Sequence, residues 1–113
     1  MGSLSNLIKP RAKKMLGIDA STHSIAFCLM HEDKPVKWGE ITFEGENVYE
    51  RILDAKKKVH SIKEQLDYDF IALEAAVSVK SVATGLKMAY VFGTIIGELI
   101  NDDTRIIEVH PLK

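Results

Sequence analysis

Two carboxylates in this sequence stand where they could do chemistry. Asp19 closes the apolar run of residues 14–19 (KMLGID), and Glu74 lies near the end of a second apolar run, residues 69–76 (DFIALEAA). Small residues follow each acid, Ala20 and Ser21 after the first and Ala75 and Ala76 after the second. An acid in such a strand is costly unless something compensates its charge. A hard divalent cation would do so, because Mg²⁺ prefers carboxylate oxygens and keeps several of its waters. Two such ions about 4 Å apart stabilise both the attacking and the leaving oxygen in phosphodiester hydrolysis. The structural alternative is that one acid caps a turn while the other pairs with a lysine. Lys80 and Lys87 flank the segment after Glu74 and are the bases best placed to meet a phosphate near the acids. His23, His31, His60 and His110 show no metal-ligand spacing and read as surface or packing residues, and Cys28 reads as strand core without an activating neighbour.

The elements that must position these acids can be read from hydrophobic periodicity. LGI (16–18) and FIAL (70–73) are the most continuously apolar runs, the signature of neighbouring central strands buried on both faces. Residues 24–31 (SIAFCLMH) and 36–43 (VKWGEITF) read as second and third strands joined to the first by short links, an antiparallel meander. Gly39 marks a change of apolar parity in the third strand, so a bulge is expected there. Asn47 followed by Glu50 reads as a capping box. Val48, Ile52, Ala55, Val59, Ile62 and Leu66 then define an amphipathic helix, with Lys56, Lys57, Lys58 and Glu64 on its wet face. As a crossover, this helix makes the fourth strand parallel to the first and brings Asp19 and Glu74 to one edge of the sheet.

A second helix, capped by Ser78 or Ser81 and running to about Asn101, is apolar nearly all round. Gly85, Ala89, Gly93 and Gly97 recur every four residues, a smooth stripe suited to close backbone approach. One face of this helix fills the sheet, and the opposite face asks for cover by a partner subunit. Arg105–Val109 reads as a fifth strand, stopped by His110 and Pro111. The expected architecture is α/β, a mixed five-stranded sheet of order 3-2-1-4-5 flanked by helices.

Composition sets the outer bounds. At 113 residues and 12.6 kDa the chain has room for one domain, and 46% apolar with 27% charged residues excludes global disorder. A net charge of −1 offers no overall basic field, yet the charge is unevenly spread. Residues 1–14 hold four bases and no acid, which leaves eleven bases against sixteen acids in the rest. Residues 1–13 read as a flexible basic leader and residues 14–113 as the domain. The single Cys28 excludes an internal disulfide and a Cys-based zinc cluster, and it fits a cytoplasmic location. The longest run without a charged residue or a histidine, residues 88–97, is about half of a membrane span, and no signal peptide is visible.

LGIDASTHSIAFCL followed by DFIALEAAVSVKSVATGLKMAYVFG resembles the RuvC family of Holliday-junction resolvases over residues 14–113. The resemblance implies a ribonuclease H-like fold and a homodimer that nicks four-way junction DNA with Mg²⁺ or Mn²⁺. It assigns catalysis and metal binding to Asp19 and Glu74, and DNA contact to Lys80 and Lys87 with Ser21 and Thr22. It also implies dimer contacts on the second helix, at Leu86, Val91, Phe92 and Ile95. Two departures stand out. Val77 occupies a position where the family carries an aromatic residue, and the family's last two acidic ligands lie on a helix beyond the fifth strand that this sequence does not reach. The chain therefore reads as an incomplete portion of a resolvase. Its alternatives are a non-catalytic nucleic-acid-binding remnant or a nuclease of the same fold with another substrate. GIDASTHSI is also similar to the first phosphate loop of the actin and hexokinase superfamily, which would make the chain a sugar-kinase-like ATP-binding domain.

Overall fold

The structure is a computed structural model that describes residues 13–74 and 82–109. In chain order its elements are β1 (Lys14–Ala20), β2 (Ser24–His31), β3 (Lys34–Thr42), α1 (Val48–Lys63), β4 (Phe70–Glu74), α2 (Val82–Leu99) and β5 (Arg105–Val109). The five strands form one mixed sheet in the order β3-β2-β1-β4-β5, as expected. β1, β2 and β3 are antiparallel neighbours, and β4 and β5 run parallel to β1. The expected leader, the helix caps at Ser78 and Ser81, Val77, Lys80 and the stop at His110 and Pro111 lie outside the described residues.

Both parallel crossovers step in the same direction across the sheet, β3 to β4 through α1 and β4 to β5 through α2. Right-handed crossovers of that kind place both helices on one face. The core follows from this. Leu16 and Ile18 of β1, Ile25, Phe27 and Leu29 of β2 and Ile71 of β4 meet Val48, Ala55 and Val59 of α1 and Val91, Ile95 and Leu99 of α2, all buried in one cluster. Each large aliphatic side chain buried this way contributes about 1.5–3 kcal/mol. The other sheet face carries no described helix.

Local chemistry fixes the joints. β2 and β3 are linked by Glu32 and Asp33, both at positive φ (52° and 70°), the two-residue turn whose twist matches a hairpin. The bulge between these strands lies at Val36, which the register skips between Lys37 opposite Leu29 and Pro35 opposite Met30. It is not at Gly39. That glycine is registered with Phe27, and a Cβ there would stand 3.3 Å from the Phe27 ring, so Gly39 makes room for a core aromatic. Asn47 caps α1, its Oδ1 accepting the Glu50 amide at 2.9 Å, but the reciprocal bond of a capping box is displaced by one residue: Glu50 Oε1 accepts the Glu46 amide at 3.0 Å. Gly45, at φ 154°, passes so close to Glu50 that any side chain there would collide with it.

Lys58 leaves the wet face of α1 and ties the helix to the end of β3. Its Nζ donates to the Thr42 carbonyl at 2.8 Å and pairs with Asp54 at 2.8 Å, while Asp54 also accepts the Glu44 amide at 2.7 Å. At the opposite end of the sheet, Lys14 pairs with Asp67 at 2.6 Å. The Lys58 ammonium, and then the Glu44 amide, hold Asp54 below the usual carboxylate range, and Lys14 does the same for Asp67. Lowered folded-state values mean that this stabilisation is fully present above the unfolded-chain value of about 3.9 and is lost as pH falls through the lowered values. Acid titration of unfolding should show stability declining below about pH 4, with a shallower decline in Asp54→Asn. An unchanged profile in that variant would contradict the assignment.

Candidate functional site

The site begins with the register of the two central strands. Gly17 is paired with Ala72 and Ile18 with Leu73 in the parallel ladder. Ile18 faces the core. Alternation along a strand therefore sends the next residue on each, Asp19 and Glu74, to the opposite face. Both acids are exposed, and they occupy neighbouring positions about 5 Å apart by strand spacing. Neither makes a hydrogen bond or ion pair with another described residue, in contrast to Asp54 and Asp67. The structural alternative, a turn cap and a lysine pair, thus finds no support among the described residues.

The acids border an open depression of about 360 Å³ whose floor on this face is Gly17, Ala26, Cys28 and Ala72. The ladders align Cys28, Gly17 and Ala72 in one cross-strand row, with Trp38 and Ile107 at its ends. Small side chains in mid-sheet and exposed apolar ones at the margins make a flat, accessible floor. Cys28 lies half-buried on this floor and is not a core residue. Glu40 stands on the same face across Ala26 from Asp19, about 10 Å away by two strand spacings, too far to share an ion directly.

Exposed adjacent carboxylates with no cationic partner among the described residues suit a hard cation that retains water. The donor chemistry fits Mg²⁺ or Mn²⁺, with Asp19 and Glu74 as the residues that would hold it. Among the described residues no group of three or more His, Cys, Asp or Glu side chains could hold a metal ion, so this pair supplies two donors and no more.

The other expected contacts are distributed unevenly. Ser21 Oγ accepts the amides of His23 and Ser24 at 3.2 and 3.1 Å and lies 3.3 Å from the Ser24 carbonyl, so the hydroxyl is engaged within its own turn. That leaves a phosphate-loop role for Ser21 without a free donor. Thr22 Oγ1 meets His23 Nδ1 at 2.9 Å. Lys87 is exposed on α2. Arg51, which carries no sequence motif, proves to be an anchor: its Nε donates to the Thr22 carbonyl at 3.1 Å and Nη1 to the Gly45 carbonyl at 3.3 Å.

The expected dimer residues divide. Val91 and Ile95 are fully buried in the chain's own core and cannot meet a partner. The helix turns them toward the sheet because they share its buried stripe with Leu99. Phe92 is half-buried, whereas Leu86 is 50% exposed. With Leu86, Val82 and Tyr90 of α2 and Tyr49 and Leu53 of α1 form the exposed apolar surface, and the rings of Tyr49 and Tyr90 stack at 6.3 Å. Gly93 and Gly97 face open space, so the small-residue stripe makes no close backbone contact within the described chain.

No protein-family model matches the sequence, and no curated protein matches it significantly. Solved structures do match in shape. Thermus thermophilus RuvC in complex with a Holliday junction substrate superposes with a TM-score of 0.73 at 10% identity, over 88% of this chain and 65% of that one. A second Thermus thermophilus RuvC structure gives 0.68 at 12% identity, over 87% and 64%. The yeast mitochondrial Holliday junction resolvase gives 0.59 at 12% identity, over 96% and 58%. This chain therefore spans between 58% and 65% of the length of these proteins. At such identities the likeness is one of fold, the ribonuclease H-like arrangement shared with RuvC.

Adjacent like charges on neighbouring strands are destabilising, by a few tenths of a kcal/mol up to about 1. In metal-free buffer Asp19→Asn should therefore raise the unfolding free energy, by about 0.5 kcal/mol on that scale. A loss of stability in urea denaturation would show instead that the Asp19 carboxylate holds the fold together.

Proposed function

We propose that this chain is the core of a divalent-metal-dependent, structure-selective DNA endonuclease that acts on four-way junctions. The observation that carries the reading is the Asp19–Glu74 couple, unpaired among the described residues, at the edge of an open, small-residue floor. The ribonuclease H-like fold supports a nuclease. Junction DNA as substrate is favoured by the likeness to Thermus thermophilus RuvC, whose structure holds a Holliday junction substrate.

In this reading Asp19 and Glu74 hold Mg²⁺ or Mn²⁺. When bound, the ion supplies Lewis-acid polarisation of the phosphate and a water of lowered pKa. The protein's own part is positional. The β1–β4 ladder sets the two carboxylates side by side, and Gly17, Ala26 and Ala72 leave the floor clear for a phosphodiester to approach. Lys87 on α2, and Lys80 beyond the described residues, would meet flanking phosphates as point charges.

A homodimer is the proposed assembly, with the exposed surface of Val82, Leu86, Tyr90, Tyr49 and Leu53 as its contact. A second nicking centre would then follow from symmetry. Sedimentation at tens of micromolar should show a dimer that Leu86→Asp converts to monomer. A wild-type monomer under those conditions would remove this assembly.

The nuclease test uses an immobile four-way junction with Mg²⁺. Asp19→Asn and Glu74→Gln should each abolish nicking while leaving junction binding intact, and chelation of the metal should do the same to the wild type. Nicking that survives Asp19→Asn would take Asp19 out of the mechanism. Equal affinity for junction and for linear duplex would sink junction recognition while leaving a nuclease possible.

A further inference from the structure

We propose that Trp38 is a base-stacking residue, its exposed indole taking the face of an unpaired nucleobase in the strand held at Asp19 and Glu74. The proposal rests on the nuclease reading above and extends it to a second contact, made with a base where the acids serve a phosphate.

Register places the indole on the acids' side of the sheet. Trp38 is paired with Cys28, and Cys28 with Gly17, two residues before Asp19 on β1. Phe27 and Leu29, on either side of Cys28, are buried against the helices, so Cys28 and Trp38 face the other way. The next residue of β3 agrees with this alternation, since a Cβ on Gly39 would point at the Phe27 ring. Two strand spacings and two residues separate Trp38 from Asp19, about 12 Å. That is a span of roughly three stacked nucleotides at about 3.4 Å each along one strand.

The bulge at Val36 decides which way Trp38 points. The turn sets His31 opposite Lys34 and Met30 opposite Pro35. Continued without the extra residue, that register would bring Trp38 opposite Phe27, on the helix-covered face. The bulge brings it opposite Cys28 instead, and bulges beside active sites re-aim side chains in this way. Core packing accounts for the bulge itself, because the same shift sets Ile41 opposite buried Ile25. It does not account for an indole at a position left in solvent, where a polar side chain would cost the fold nothing. Trp38 is 68% exposed, and among the described residues its ring makes no hydrogen bond and meets no other ring.

A base suits these surroundings. The row inward from Trp38 is Cys28, Gly17 and Ala72, too small to obstruct a planar group lying against the indole. Glu40, two residues along β3 on the same face, is exposed and registered with Ala26. Its carboxylate repels a phosphate, which leaves the uncharged base as the part of a nucleotide that can approach Trp38. Stacking tolerates any sequence, because every base has a π-face. A paired base keeps both faces covered by its neighbours in the duplex, so this contact selects strand that is locally unpaired.

Trp38 is the chain's single tryptophan, so intrinsic emission reports this position alone. The test titrates a single-stranded oligothymidylate, and an abasic strand of equal length, into the protein in metal-free buffer at fixed salt. Anisotropy of the labelled strand follows binding, and quenching of the indole follows stacking. The free protein should emit as a water-exposed indole, which the oligothymidylate quenches and the abasic strand does not. Trp38→Ala should bind the oligothymidylate between about fivefold and about a hundredfold more weakly, the range for losing one base–aromatic stack. It should bind the abasic strand as the wild type does, and Trp38→Tyr should retain most of the affinity for the oligothymidylate. The salt dependence should keep its slope in Trp38→Ala, because no phosphate contact is lost. Should Trp38→Ala destabilise the fold, the abasic strand still decides, since a folding defect weakens both strands alike. Oligothymidylate binding without quenching would overturn the proposal alone, as would wild-type affinity in Trp38→Ala, an equal loss on both strands or a changed salt slope. Emission of the free protein as a buried indole would assign this face to a second copy of the chain and also overturn it. A wild type that binds neither the single strand nor a four-way junction would overturn the nuclease reading first and this proposal with it.

Discussion

The function proposed for this chain depends on the ladder that pairs Ile18 with Leu73. One residue further along each strand the chain crosses to the other side of the sheet, so two carboxylates emerge side by side from strands that otherwise bury their side chains in a core. A slip of one residue in either strand would turn an acid into the helix-covered face and an aliphatic onto the open one. The core therefore enforces the geometry of the acid pair. Leu16, Ile18 and Ile71 cannot all stay on the helix-covered face if either strand slips by one residue.

Handedness supplies the second half of the account. Two right-handed crossovers stepping the same way place α1 and α2 together on one face, and the face that carries Asp19 and Glu74 receives neither. Its central positions are small, at Gly17, Ala26, Cys28 and Ala72, so among the described residues the acids stand over an open floor. The repulsion between them is stability forgone in the metal-free chain. In the proposed reading, a cation that both share would reverse that sign and turn a locally unfavourable arrangement into a binding site.

Much of this was legible in the residues. The strand order, the helix cap at Asn47, and the convergence of Asp19 and Glu74 follow from apolar runs, cap chemistry and crossover rules that depend on local chemistry. The misreadings share a physical cause, since they concern contacts between elements. Gly39 looked like a bulge because the parity changes beside it, but the irregularity belongs to Val36 and the glycine answers to the Phe27 ring across the ladder. Lys58 looked solvated, yet it reaches the Thr42 carbonyl and Asp54. Val91 and Ile95 could not be told from Leu86 by composition on a helix that is apolar nearly all round. Only the packing of α2 against the sheet decides which stripe is buried. Arg51 carries no motif at all, and its role arises from the turn it holds.

The central claim is that the acid pair is a divalent-cation site, and Mn²⁺ binding to the protein tests it without reference to any substrate. Enhancement of water-proton relaxation on titrating Mn²⁺ into the wild-type chain should reveal a site that Mg²⁺ displaces, and that is lost in both Asp19→Asn and Glu74→Gln. Equal enhancement in the wild type and the two variants would contradict the account, because the ion would then be bound elsewhere and the pairing of Asp19 with Glu74 would have no chemical consequence.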